Sequence, residues 1–347
     1  MSELLNVKNL RTYYHTRGKV VKSVEDVSFT VNDGETFGLV GESGCGKSTV
    51  CRSILQLTPE KITRMSGQIL FQGKDMLSMS PGELRNIRGK KIGMIFQEPM
   101  TTLNPVLKLK TQIYEQFIGM SLSKEEKYAR SVEMFKAVGI PFPEKRLEEY
   151  IHEFSGGMRQ RAMIATVLAA QPKLLLADEP TTALACRPKL LIADEPTTAL
   201  DVTIQAQILY LINEMKKSLG MSMILVTHDM GVASPMCDRI AVMYAGRIVE
   251  LATSRDLFTK PRHPYTIGLL SCLPQNKKKE DKLEVIEGAP PNLAEEIKGC
   301  AFAPRCKYAT PLCYQQAPPM QSAENGHSFR CHFEHVPANQ ETGGVAE

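Results

Sequence analysis

Apolar and polar residues alternate over Leu5-Asn6-Val7-Lys8-Asn9-Leu10 and again over Val24-Glu25-Asp26-Val27-Ser28-Phe29-Thr30-Val31, which predicts a β-rich entry across residues 4–33. Gly18 and Asn32-Asp33-Gly34 mark its turns. Gly67-Gln68-Ile69-Leu70-Phe71-Gln72-Gly73 reads as a further hairpin. The pattern then changes. Short continuous apolar runs recur at 35–40, 91–97, 190–194 and 223–228. Runs of this length without alternation predict strands buried on both faces. A last pair, Ile240–Tyr244 and Arg247–Glu250, reads as a hairpin around Ala245-Gly246.

Helical periodicity fills the gaps. It runs from Thr111 to Val138, with a start signal at Ser123 and Glu125-Glu126, and continues over Glu144–Tyr150. Ser155-Gly156-Gly157 caps a helix from Met158 to about Ala170, and Val202–Leu219 is amphipathic. Apolar strands alternating with helices predict an α/β domain. The helical block at about 98–157 interrupts the sheet and reads as an inserted subdomain. After about residue 254, Pro, Lys and Cys become common. The expected division is a large α/β domain over 1–254 and a small Cys-rich C-terminal domain over 255–347.

The nucleotide is named by Gly41-Glu42-Ser43-Gly44-Cys45-Gly46-Lys47-Ser48-Thr49, a G-x-x-x-x-G-K-[ST] phosphate-binding loop between an apolar strand and a helix. Its glycines let backbone N–H groups turn toward phosphate oxygens. Lys47 is placed to reach the β- and γ-phosphates and Ser48 to ligate Mg²⁺, with Thr49 beside it; the helix dipole acts on the same anion. The loop alone leaves kinase, GTPase and transporter ATPase open. Strand ends narrow the choice. The 190–194 run delivers Asp194 and then Glu195, suited to hold Mg²⁺ through water and to polarise the attacking water. Gln97 ends another strand and is suited to sense that water and the metal. His228 ends a third and is suited to hold the γ-phosphate.

Composition adds limits. The chain has 347 residues, 43% hydrophobic, with a formal net charge of +4. That charge is not gathered into a stripe, so no nucleic-acid partner is expected; Lys277–Lys282 reads as a solvated linker. No apolar run approaches the ~20 residues needed to cross a bilayer. The first residues have no basic stretch followed by an apolar core, so a cytoplasmic location is expected, with membrane association through a partner. Four of the nine cysteines, Cys300, Cys306, Cys313 and Cys331, lie close together in a Pro- and Gly-rich tail. In a reducing compartment such a cluster points to metal before disulfides.

At Phe154-Ser155-Gly156-Gly157-Met158-Arg159-Gln160-Arg161 the sequence closely resembles the signature of ABC transporter ATPases. The order of phosphate loop, Gln97, signature, Asp-Glu strand, Ala199-Leu200-Asp201 and His228 matches that family over residues 4 to about 254. Gln97–Pro105, His263-Pro264-Tyr265-Thr266 and Gly299–Cys306 look like its oligopeptide/dipeptide importer branch. The resemblance implies a subunit that hydrolyses MgATP to power peptide import from the cytoplasmic face of a membrane. It also implies two transmembrane permease subunits, an extracytoplasmic peptide-binding protein and a second ATPase, by branch resemblance a paralogue. ATP would be sandwiched head to tail, with Ser155, Gly156 and Gly157 acting on nucleotide held by the partner. Tyr14 takes the adenine-stacking position, Asp201 completes the Asp-Glu segment, and Glu195, His228 and Gln97 are the catalytic set. Met158 stands where the family often has Gln. Some members of the branch carry a [4Fe–4S] cluster at such cysteines; zinc, free thiols and disulfides are the alternatives. Cargo is not implied, since dipeptides, longer peptides, nickel chelates and glutathione are all handled by close relatives.

One feature departs from the family. Residues 169–184 return as 185–200, with Pro172–Leu184 matching Pro188–Leu200 except that Ile192 replaces Leu176. The sheet has room for one copy. Asp178 is correctly spaced from the signature and Asp194 from His228. A surplus segment between a helix end and a strand start lies away from the nucleotide, where insertions are tolerated. The second copy, with Asp194 and Glu195, is therefore expected in the sheet. A nucleotide-binding protein whose hydrolysis the repeat has spoiled, or an ABC ATPase without a transporter, are the rival functions.

Overall fold

A computed structural model describes residues 2–16, 18–96, 102–178, 198–273 and 286–333. The alternating entry forms two long antiparallel strands, β1 (Glu3–Thr16) and β2 (Lys19–Asn32). The buried run after the Asp33-Gly34 turn is β3 (Thr36–Val40). Next come β4 (Thr63–Phe71), β5 (Lys74–Asp75) and β6 (Ile92–Ile95). The remaining strands are β7 (Leu174–Asp178), β8 (Ser222–Thr227), β9 (Arg239–Tyr244), β10 (Arg247–Thr253), β11 (Gln321–Ser322) and β12 (Ser328–Phe329).

They make two sheets, a four-stranded one ordered β2-β1-β4-β5 and an eight-stranded one ordered β11-β12-β10-β9-β3-β8-β7-β6. In the larger sheet β9, β3, β8, β7 and β6 run parallel. These five are buried on both faces, as their unbroken apolar runs require. Leu174 and Leu176 pack with the small sheet and the Lys47–Ile54 helix (α1), whereas Leu175 and Ala177 face the helical side. On that side Leu109–Glu115, Lys124–Ala137 and Gly156–Leu168 share a core built on Ile113, Phe117, Phe135, Phe154 and Ile164. Ser123 caps its helix as predicted: its Oγ accepts from the Glu126 N–H, and Glu126 reaches back to the Ser123 N–H.

The repeat resolves against the sequence expectation. The strand between β6 and β8 is Leu174–Asp178, the first copy. The 190–194 run assigned to it, with Asp194 and Glu195, lies outside the described residues. Both copies are apolar enough to fill the slot, so burial does not choose between them. The connection does. The Gly156–Leu168 helix ends in a turn with Gln171 at φ 51, and Lys173 and Leu174 donate at once to Lys91 O. Closing a link of a few residues costs less entropy than closing one that carries a spare strand.

The tail returns to the ATPase sheet. β12 pairs with β10, setting Glu250 opposite Phe329. Buried Glu250 accepts from the Arg262 and His263 N–H groups and lies 2.7 Å from His327 Nε2. Arg330 donates to Asp26 Oδ2 at 2.8 Å and to Ile248 O at 3.1 Å. Among the described residues no helix is long and apolar enough to cross a membrane.

Candidate active site

The parallel strands deliver their C-terminal ends to one edge. Val40 pairs with Thr227, and Asp178 with Val226, so the chain leaves β3, β7 and β8 at nearly the same level. Crevices beyond the carboxyl ends of parallel strands are where such sheets bind ligands.

The phosphate loop starts there. Gly41 lies so close to β9 that a Cβ would meet Met243 O at 2.2 Å. Gly46, at φ 104, opens α1, and a Cβ on it would meet Ser23 O at 2.3 Å. Any side chain at either position displaces backbone, so the loop path depends on both glycines. Lys47 is nearly buried, and its Nζ donates to Gly41 O at 2.7 Å and Glu42 O at 2.9 Å. Burial raises the pKa of Cys45 above its usual value, so it is a neutral thiol packed under the loop. Thr49 Oγ1 lies 2.9 Å from Ser23 Oγ, tying the start of α1 to β2.

Ser48 Oγ donates to Asp178 Oδ1 at 2.8 Å, and Asp178 is 2% exposed. Asp178 thus occupies the place the sequence reading gave to Asp194. A hydroxyl and a carboxylate oxygen side by side suit Mg²⁺. His228 follows β8 and shares a cavity of about 330 Å³ with Glu42, Ser43 and Leu269. Gln97 lies outside the described residues, but β6, which leads to it, pairs Ile95 with Ala177 and so heads for the same edge. Asp201 is in the first turn of the Thr198–Leu219 helix.

Tyr13 and Tyr14 project to opposite faces of β1. Tyr13 Oη donates to Glu25 at 2.6 Å, and burial with that carboxylate pushes its pKa up to about 12. Thr12, on the face shared by Tyr14, meets Ser53 of α1 at 2.8 Å. Tyr14 is therefore the tyrosine on the phosphate-loop side.

The signature stands apart from this cluster. Ser155 caps the Gly156–Leu168 helix, accepting from the Met158 N–H, and Ser155 and Gly156 are exposed. A glycine-opened helix N-terminus facing solvent is an anion site available to a second molecule.

Two contacts with the loop carried no sequence signal. Tyr265 Oη accepts from the Glu42 N–H at 2.9 Å. Arg305 pairs with the Glu42 carboxylate at 2.8 and 3.1 Å. Both come from residues more than two hundred positions away, and no periodicity or local spacing encodes such a contact.

Cys300, Cys306, Cys313 and Cys331 line one apolar pocket with His263, Phe302 and Phe333. All four are free thiols. Burial pushes Cys300 up to about 11 and also raises Cys306 and Cys331, and neighbouring thiols add to the shift. Converging thiols, three of them raised by burial, need a cationic centre to become thiolates, so the donor set fits a metal group. Among the described residues no three Cys, His, Asp or Glu close tightly enough to hold a single ion.

Comparison with known proteins agrees with this geometry. The model of the ABC transporter family matches residues 24–182, ending within the first copy of the repeat, and that of the oligopeptide/dipeptide transporter C-terminal region matches 249–313. The oligopeptide transport ATP-binding protein OppD of Bacillus subtilis (strain 168) is 47% identical over 341 residues, covering 97% of this chain and 91% of its own. The dipeptide transport ATP-binding protein DppD of the same organism is 44% identical, covering 95% of each chain. The ATP-binding cassette MJ0796, solved as a dimer in a post-hydrolysis state bound to ADP and Pi, superposes with a TM-score of 0.60 at 26% identity, over 72% of this chain and 99% of its own. With a phosphate loop, a carboxylate on its serine, an exposed signature and a matching tail, this chain belongs to the ABC transporter ATP-binding proteins, in their oligopeptide/dipeptide importer branch.

Proposed function

We propose that the chain binds and hydrolyses MgATP to power import of di- or oligopeptides through a membrane permease. The observation that carries this reading is Ser48 held on buried Asp178 beneath the phosphate loop, in a chain similar from end to end to peptide-importer ATPases. Lys47 binds the β- and γ-phosphates. Ser48 and Asp178 hold Mg²⁺, which neutralises charge on the phosphate oxygens when bound. Glu179, next in sequence after Asp178, takes the role of orienting and polarising water that the sequence reading gave to Glu195. His228 and Gln97 serve the γ-phosphate and the water, and Tyr14 stacks on adenine. Ser155, Gly156 and Gly157 complete the site of a second, paralogous ATPase. The dimeric cassette MJ0796 supports that arrangement.

A groove of about 230 Å³ between α1 and the helical block, lined by Leu57, Arg88, Phe96, Leu103, Gln116 and Met163, receives a permease helix near Gln97. Two permease subunits and an extracytoplasmic peptide-binding protein complete the assembly, which places the chain at the cytoplasmic face. The four tail cysteines hold a [4Fe–4S] cluster of structural role. The test is ATP turnover of the chain assembled with its partner ATPase and permease. Peptide-stimulated turnover is expected. Binding without turnover, restored by removing one copy of the repeat, would instead favour the hydrolysis-deficient alternative.

A further inference from the structure

We propose that Arg305 is a positioning residue for the phosphate loop: through Glu42 it fixes the backbone that receives ATP, so the C-terminal tail sets nucleotide affinity. The inference rests on the ATP-binding reading above.

The guanidinium is pinned before it meets Glu42. Its Nε donates to Glu287 O at 2.9 Å, Nη2 to Ile286 O at 3.2 Å and Nη1 to Tyr244 Oη at 3.3 Å, and the group stacks over the Tyr244 ring. It then meets the carboxylate with both terminal nitrogens. This fork geometry fixes direction as well as distance. The Arg305 side chain is 6% exposed and that of Glu42 26%. The pair is thus shielded from the screening that weakens surface bridges.

Glu42 is gripped at every polar group. Its N–H goes to Tyr265, its carboxylate to Arg305, and its carbonyl accepts from Lys47, the phosphate-binding ammonium. A phosphate loop works by the directions of its N–H groups. A loop ordered in advance loses less freedom when ATP arrives. Arg305 also cancels a carboxylate that would otherwise face the triphosphate as an unpaired negative charge. Both effects act on binding and leave the chemistry of the bound complex alone.

The experiment is a double-mutant cycle on the full-length chain, reading the MgATP Kd by calorimetry and kcat in the assembled transporter. Arg305→Ala should raise Kd about 10-fold, equivalent to about 1.4 kcal/mol, with kcat at saturating ATP within about twofold. Arg305→Ala with Glu42→Ala should bind more tightly than Arg305→Ala alone, because the unpaired carboxylate is gone. Arg305→Lys should lie between Arg305→Ala and the parent, and it keeps the test open if Arg305→Ala does not fold. Arg330→Ala, which removes a tail anchor on Asp26 remote from the loop, should leave Kd unchanged. The proposal is overturned if Arg305→Ala and Arg305→Lys bind MgATP like the parent, if the double variant binds no better than the single, or if Arg330→Ala weakens ATP as much. A parent chain that binds no MgATP would refute the function itself.

Discussion

Asp178→Asn tests the site and the strand assignment together. The substitution keeps the shape of a side chain that is 2% exposed and accepts from Ser48 Oγ at 2.8 Å, but it removes the charge. A hydrogen bond to an ionised group contributes about 1.5–3 kcal/mol. A carboxylate about 4 Å from a unit positive charge gains roughly 4 kcal/mol at an effective dielectric of 20, before desolvation. Taking about 3 kcal/mol as the surviving loss, kcat/KM for ATP should fall about 100-fold. Asp194→Asn should change it by less than about twofold, since the other copy occupies the strand. The assay is phosphate release by the chain with its partner ATPase across a Mg²⁺ titration. Melting temperatures of both variants separate chemistry from folding. A loss confined to Asp194→Asn would refute both the strand assignment and the Mg²⁺ role of Asp178.

The surplus copy gives a second test. Deleting residues 185–200 joins Leu184 to Asp201 and leaves one uninterrupted Asp-Glu-Pro-Thr-Thr-Ala-Leu-Asp run, so turnover and melting temperature should both rise; a fall in either, measured beside the parent, contradicts it. Gly46→Ala should abolish nucleotide binding, because its Cβ meets Ser23 O at 2.3 Å; calorimetric titration with MgATP retaining parental affinity would disprove the loop geometry. Anaerobically purified protein should contain iron and sulfide, and Cys306→Ser should lose both; zinc in their place would reassign the site. His327→Ala should lower stability by about 1–3 kcal/mol by stripping buried Glu250 of a partner, checked by urea denaturation.

What was legible in the sequence is what local chemistry encodes. The phosphate loop declares itself because only glycine tolerates the approach at Gly41 and Gly46. Ser155 and Ser123 announce helix starts because their hydroxyls satisfy orphan N–H groups at fixed spacing. The parallel strands show as unbroken apolar runs because both faces are covered. Tyr14 is favoured over Tyr13 by family position; strand alternation says only that the two face opposite sides. The Asp-Glu strand was another matter. Its two copies carry the same apolar run and the same acids, so pattern is blind to the choice, and the expectation relied on where an insertion is best tolerated. On that expectation the near end, between helix and strand start, is the place where a surplus segment is best tolerated. The short turn from Leu168 through Gln171 and Pro172 delivers the first copy directly into the gap beside β6.

The tail shows the opposite limit. From its cysteines it reads as an appended module, but beside its internal contacts it is tied to the ATPase domain at several points. Arg330 reaches Asp26 in the entry sheet, Leu293 O accepts from Lys22 N–H, Ser328 and Phe329 extend β10, and Arg305 grips the phosphate loop. Each partner lies far away in sequence, where only the folded backbone brings it near. A segment with so few apolar residues of its own gains order by borrowing the ATPase core. It follows that the two are not separable in energy. Loosening the tail must first be felt at β10 and at Glu42, and the second of these is the loop that holds ATP. An ATPase truncated before the tail would thus retain every sequence motif for hydrolysis and still bind nucleotide less well, a result that MgATP titration of a chain ending at residue 286 would reveal.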